Sequence, residues 1–256
     1  MSKLYQKLSL ILVLLLLTSV GFGQGLSSVM DADPNAPALV TPGSNEAIWD
    51  LQFRINADSL TGATGLAGVE CNGVNFFAAE WGSAGHRTLF KLTMTGQYVD
   101  SISTAFTGST TAGLRDLAWD GTYLYGGIAT NAIYCFDVNG TYISTITSPT
   151  AVRAIAYDEV SDAFWVNNFS TNFILVSRTG VALDTIATPP SCYGAAYDNV
   201  TAGGPYLWLF TGTSSATNTC AVERFSIATG LGTGVTHSVS GDLGAGISGG
   251  LFSHPN

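Results

Sequence analysis

Acid–base catalysis needs titratable side chains that can meet, and this chain of 256 residues offers few of them. It has nine Lys and Arg, 18 Asp and Glu, three His and four Cys, with a formal charge of -9. His86, His237 and His254 stand in separate segments. No two of Cys71, Cys135, Cys192 and Cys220 have the short spacing of a zinc or redox pair. No metal or other cofactor is expected. Glu80 and His86, six residues apart, are the best-placed acid–base pair, although loop carboxylates and imidazoles more often only face water. A different set suits recognition. Arg115 and Arg153 carry planar forks that grip oxyanions, and Trp81, Phe169, Tyr193, Asn167, Asn168, Glu80 and Asp116 add stacking faces and hydrogen bonds. An anionic or sugar-like ligand is the chemistry this set implies. The competing reading is structural, with Arg115 and Asp116 in an ion-pair network that needs no ligand.

Whether these residues meet depends on the elements that carry them, and an internal repeat points to those elements. Five segments superimpose: Leu66-Ala-Gly-Val-Glu-Cys-Asn72, Leu114-Arg-Asp-Leu-Ala-Trp-Asp120, Val152-Arg-Ala-Ile-Ala-Tyr-Asp158, Cys192-Tyr-Gly-Ala-Ala-Tyr-Asp198 and Ile247-Ser-Gly-Gly-Leu-Phe-Ser253. The first column is apolar, the sixth is bulky in four of five, and the seventh is Asn or Asp in four. Asn72-Gly73 and Asp120-Gly121 are hairpin turns, because both residues of such a pair accept positive φ. A second strand follows each copy, opening with an apolar residue and then an aromatic one: Phe76-Phe77, Leu124-Tyr125, Phe164-Trp165 and Leu207-Trp208. A third strand with its own turn and a Thr-rich fourth complete the unit. Copies start 48, 38, 40 and 55 residues apart, and a four-strand unit of about 40 to 45 residues is the spacing of propeller blades. A sandwich or barrel predicts no such repeat. The expected fold is all-β, a β-propeller of four complete four-stranded blades and the start of a fifth, and so a fragment of a larger ring. Ala47 to Ile55 reads as a further strand by its alternation.

Composition supports this and narrows the address. Five Glu and three Lys are too few for exposed helices, and the acidic balance offers no electrostatic footprint for nucleic acid or anionic lipid. Lys3 and Lys7, the apolar run Leu10 to Leu17 and small residues at Gly21 and Gly23 form the three parts of a secretory signal peptide. Eight apolar residues are far short of the ~20 that span a bilayer, so no membrane span is expected after cleavage. Nine basic residues less Lys3 and Lys7 leave seven against 18 acids in the mature chain. Export permits disulfides, and the four cysteines allow three pairings or none. For a chain this large, with its own core, buried free thiols acting as small hydrophobes are the expected state. The expected layout is a signal peptide over 1–23, a linker over 24–45 and an incomplete propeller over 46–256.

Gly62-Ala-Thr-Gly-Leu-Ala-Gly-Val-Glu70, Gly113-Leu-Arg-Asp-Leu-Ala-Trp-Asp-Gly-Thr-Tyr123 and Val152 to Asp158 resemble the repeats of secreted propeller proteins of Bacteroidetes. That resemblance spans about residues 45 to 256 and implies a cell-surface or extracellular address. Such chains often end in a type IX secretion sorting domain, which is not seen in this sequence. Asp58-Ser-Leu60, Asp100-Ser-Ile102 and Asp184-Thr-Ile186 resemble the short O-glycosylation motif of that phylum. In the propeller fold, the loops entering the first strand and those joining the second to the third form the usual ligand surface. They would bring together Arg115, Asp116, Arg153, Tyr193, Glu80, Trp81, Asn167, Asn168 and Phe169. The expected function is an exported, non-catalytic binding or adhesion module for a glycan, polymer or protein ligand. The alternative is a lactonase-like propeller hydrolase or lyase.

Overall fold

The computed structural model describes residues 49, 51, 53–63, 65–82, 87–187, 192–212, 220–243 and 249–253. The signal peptide over 1–23, the linker over 24–45, His86 and Ser248 lie outside the described residues.

Among the described residues, sixteen strands form four sheets, each a meander of four sequential antiparallel strands. Blade one holds β1 (Leu66–Cys71), β2 (Asn75–Glu80), β3 (Thr88–Thr93) and β4 (Tyr98–Ser103). Blade two holds β5 (Leu117–Trp119), β6 (Leu124–Gly126), β7 (Ala132–Phe136) and β8 (Tyr142–Thr147). Blade three holds β9 (Ala154–Asp158), β10 (Ala163–Asn167), β11 (Phe173–Ser177) and β12 (Ala182–Ile186). Blade four holds β13 (Cys192–Asp198), β14 (Tyr206–Gly212), β15 (Cys220–Ser226) and β16 (Leu231–Ser238). The first strands are spatial neighbours in the order β1, β5, β9, β13, so they line the inside of a ring.

Burial follows from that stacking. Second strands are covered on both faces by adjacent blades, so they read as continuous apolar runs rather than alternating ones; β10 and β14 are buried throughout. Fourth strands face water and are rich in Ser and Thr, with one buried residue each in blades one to three: Ile102, Ile146 and Ile186. Each isoleucine packs into a core shared with the next blade. Ile102 joins Leu117 and Leu124, Ile146 joins Ile155 and Phe164, and Ile186 joins Ala195 and Leu207. The bulky sixth column packs in these cores too, with Trp119, Tyr157 and Tyr197 each set between its own blade and the preceding one.

The seventh column has a definite task. One oxygen of Asn72, Asp120, Asp158 and Asp198 accepts two backbone amides of the following turn, at 2.7 to 3.0 Å. The second carboxylate oxygen accepts from the aromatic residue of the next strand: Tyr125 Oη at 2.8 Å, Trp165 Nε1 at 3.2 Å and Trp208 Nε1 at 2.9 Å. Blade one has Phe77 at that place, which has no donor, and there the turn residue is the neutral Asn72.

Residues 249–253 lie between blades four and one. Gly250 N–H donates to Ala67 at 2.5 Å, and Ser253 Oγ donates to the Tyr197 carbonyl. Leu251 packs with Ala196 and Trp208 of blade four, while Phe252 packs with Val69 and Phe76 of blade one, so alternate side chains serve opposite neighbours. No strand is assigned to 249–253, and the rest of the fifth copy lies outside the described residues. The described architecture is a four-bladed antiparallel β-propeller.

The strand expected over 47–55 is not found among its described residues. Trp49 sits in a turn and Ile55 forms a lone bridge. Asn56 Oδ1 accepts from Ser59 N–H at 2.9 Å, capping the short helix α1 (Ala57–Thr61), and a helix cap ends extended structure. All four cysteines are buried, and none forms a disulfide.

Candidate functional site

The chain reverses into each first strand beside the loop that leaves a second strand, and backbone hydrogen bonds fix that proximity. Trp81 N–H donates to Gly65, Arg115 N–H to Gly127 and Arg153 N–H to Asn167, at 2.9 to 3.0 Å. Side chains from consecutive blades therefore converge on one rim of the ring. The Arg115 guanidinium lies over the Trp81 ring, 3.5 Å from its centroid, and the Arg153 guanidinium lies over Phe169 at 3.7 Å. Phe169 meets Tyr193 edge to face, with centroids 4.6 Å apart. The result is a row of stacked cations and rings across blades one to four. Trp81, Arg115, Arg153, Asn168, Phe169 and Tyr193 are all half-buried.

The row is held in place from below. Asn167, fully buried, donates from Nδ2 to the carbonyls of Phe169 and Thr171, at 3.0 and 3.3 Å. Asn168 N–H donates to Thr171 Oγ1, and Cys192 N–H donates to the Phe169 carbonyl. These bonds hold Phe169 at φ +56°, a left-handed conformation that costs a non-glycine residue roughly 1 kcal/mol or more. Burial pulls the Arg115 guanidinium down to about 10, with the neighbouring charge of Arg153 adding to the effect, and burial lowers Arg153 as well. Both stay cationic at neutral pH.

Asp116 is placed elsewhere than expected. It is 0% exposed, at the centre of the ring, and does not pair with Arg115. Its Oδ2 accepts from Ile155 N–H at 2.9 Å and Ala195 N–H at 3.1 Å, tying blade two to blades three and four. A Cβ on Gly250 would come within 2.6 Å of Oδ1, and one on Gly68 within 3.3 Å of the Asp116 backbone. The third column of the repeat is Gly68, Asp116, Ala154, Gly194 and Gly249. It is small because it faces the crowded axis, and the one carboxyl fills the space the glycines leave. Burial drives the Asp116 pKa far upward against the amide hydrogen bonds that favour the anion. The ion-pair network between blades exists, but it is built by Arg178, which donates to Asp120 at 2.9 Å and Asp162 at 2.7 Å.

Glu80 is buried at the end of β2, near Asp58, whose carboxyl is raised by burial first and by Glu80 second. Its expected partner His86 lies outside the described residues. So do residues 244–248 of the glycine-rich run Gly244 to Gly250, which matches Gly-x-Gly-x-x-Gly and Gly-x-Ser-x-Gly by residue type. Among the described residues no group of three His, Cys, Asp or Glu is arranged to hold a metal, and no helix is long and apolar enough to cross a membrane.

Glu70 was not singled out by the sequence reading. It lines a cavity of about 430 Å³ at the opposite mouth of the ring, together with Trp119, Ala156, Tyr197 and Leu251. Its Oε1 accepts from Cys71 N–H at 2.7 Å, yet burial pushes the carboxyl up to about 8. The signal was in the fifth column, where Glu70 replaces the alanines 118, 156 and 196.

No family model matches this chain, and no curated protein matches it. Among solved structures it is similar to Myxococcus xanthus glutaminyl cyclase, at 15% identity and a TM-score of 0.50, over 73% of this chain and 70% of that one. It is also similar to Kuenenia stuttgartiensis hydrazine synthase (13% identity, TM-score 0.46, 68% of this chain and 49% of that one) and to the RRP9 WD40 repeats (15%, 0.47, 68% and 52%). The chain thus spans about half the length of the latter two. At these identities the likeness concerns the fold alone.

Proposed function

We propose that this propeller is an exported, non-catalytic binding module that holds a saccharide, polymer or protein ligand outside the cell, a saccharide being the favoured case. The ligand contacts are Arg115, Arg153, Trp81, Asn168, Phe169 and Tyr193, with Asn167 holding the Phe169 loop from beneath. The observation that carries this reading is the pair of guanidiniums stacked on Trp81 and Phe169 and continued by Tyr193. Stacked arginines are oriented in advance, so less freedom is lost when a ligand is bound. The reading includes residues 1–23 as a signal peptide, a surface address of the kind served by type IX secretion, and residues 249–253 as the inner edge of a fifth blade. Binding to a glycan array tests it. Arg115→Ala and Trp81→Ala should each weaken the strongest signal about tenfold with little change in melting temperature. Unchanged binding in both variants would refute the site.

One observation favours the alternative of a hydrolase or lyase. A carboxyl that titrates near neutrality and lines a cavity, as Glu70 does, has the protonation state of a general acid. Ester or lactone turnover abolished by Glu70→Gln would support it over the binding module.

A further inference from the structure

This chain has twice as many acids as bases, yet Arg115 and Arg153 make no salt bridge among the described residues, while Arg178 pairs with two carboxylates. Among the described residues, then, these two neighbouring cations have no carboxylate paired with them. The Nε atoms of both are buried with no hydrogen-bond partner, and so is Oδ1 of the fully buried Asn167 behind them. The rings beneath are not free to stack on a sugar from the side the guanidiniums cover. What the rim offers outward is the donor edge of two forks.

On the reading that the rim binds a saccharide, we infer that it selects one bearing an oxyanion, a carboxylate or a sulfate, received between Arg115 and Arg153. A planar carboxylate matches the guanidinium fork with two parallel hydrogen bonds, and an anion lying between the two cations cancels their mutual repulsion. Tyr193 and Asn168 supply a hydroxyl and a carboxamide beside them for the sugar. Lysine at either position would keep the charge but lose both the fork and the stack.

Calorimetric titration with a hexauronate, its carboxyl-reduced counterpart, a hexasaccharide sulfate and an oligoglutamate peptide tests this inference. The two anionic saccharides should bind, the carboxyl-reduced one about tenfold or more weaker, with affinity falling as salt is raised. Arg115→Lys and Arg153→Lys should each weaken hexauronate binding about tenfold. Arg178→Lys, on the far side of blades two and three, should leave it unchanged, and thermal unfolding of each variant verifies that it is folded. Equal affinity for hexauronate and its carboxyl-reduced form would overturn the oxyanion inference and leave the saccharide-binding reading standing. Binding of the peptide with no saccharide bound, or of none of the four probes, would overturn both.

Discussion

Glutamine at position 70 keeps the shape of glutamate and its acceptance of the Cys71 amide, and it removes the proton that Glu70 can lose. In the unfolded chain Glu70 ionises near its ordinary 4.5, whereas in the ring it keeps its proton up to about 8. Between those values unfolding releases a proton, so native stability falls as pH rises. The loss is about 1.4 kcal/mol per pH unit. Over the interval from 4.5 to 8, 3.5 pH units, this comes to about 5 kcal/mol, fully retained below pH 4.5 and fully lost above pH 8. Glu70→Gln lacks this dependence. The desolvation of its amide does not change with pH, so it shifts the whole curve and leaves the slope alone. Asp116 is present in both proteins and its own titration largely cancels in the difference. Urea unfolding of both proteins at pH 5, 6.5, 8 and 9 measures that difference. It should move in favour of the variant by about 4 kcal/mol between pH 5 and 9, since pH 5 already lies inside the interval, on the order of 10 °C in melting temperature. Parallel pH curves would show that Glu70 ionises normally in the folded ring, and the argument from its burial would fail.

Trp165→Phe strips a 3%-exposed Asp158 of the donor to its Oδ2 and should cost about 3 kcal/mol in chemical denaturation. Adding Asp158→Asn recreates the Asn72 and Phe77 combination of blade one and should recover about 1 kcal/mol of that loss. Mass spectrometry of the exported protein should find a mature chain beginning at Gln24; a chain still starting at Met1 would contradict cleavage after Gly23.

The strands and their order were legible in the sequence because each blade is a local meander. Its turns carry Asn, Asp or Gly, its inner runs are apolar, and its outer strand carries Ser and Thr. Hydrogen bonds between adjacent strands of one chain segment depend on nothing distant, so Leu124-Tyr125 and Phe164-Trp165 declare the same element wherever they occur. The loops that carry Arg115, Trp81, Arg153, Phe169 and Tyr193 were readable for the same reason, as fixed offsets from those strands. The faces those side chains adopt were not. That Arg115 lies on a ring from blade one while Asp116, the next residue, points into the axis depends on how four blades close around one another. The third column is small and the fifth is mostly alanine, but their meaning is global, since space at the axis exists only once the ring is assembled. Sequence determined which residues stand at the ends of the strands. Tertiary closure decided which of them are buried, and so whether a carboxyl such as Glu70 or Asp116 is a surface charge or a proton held in the core.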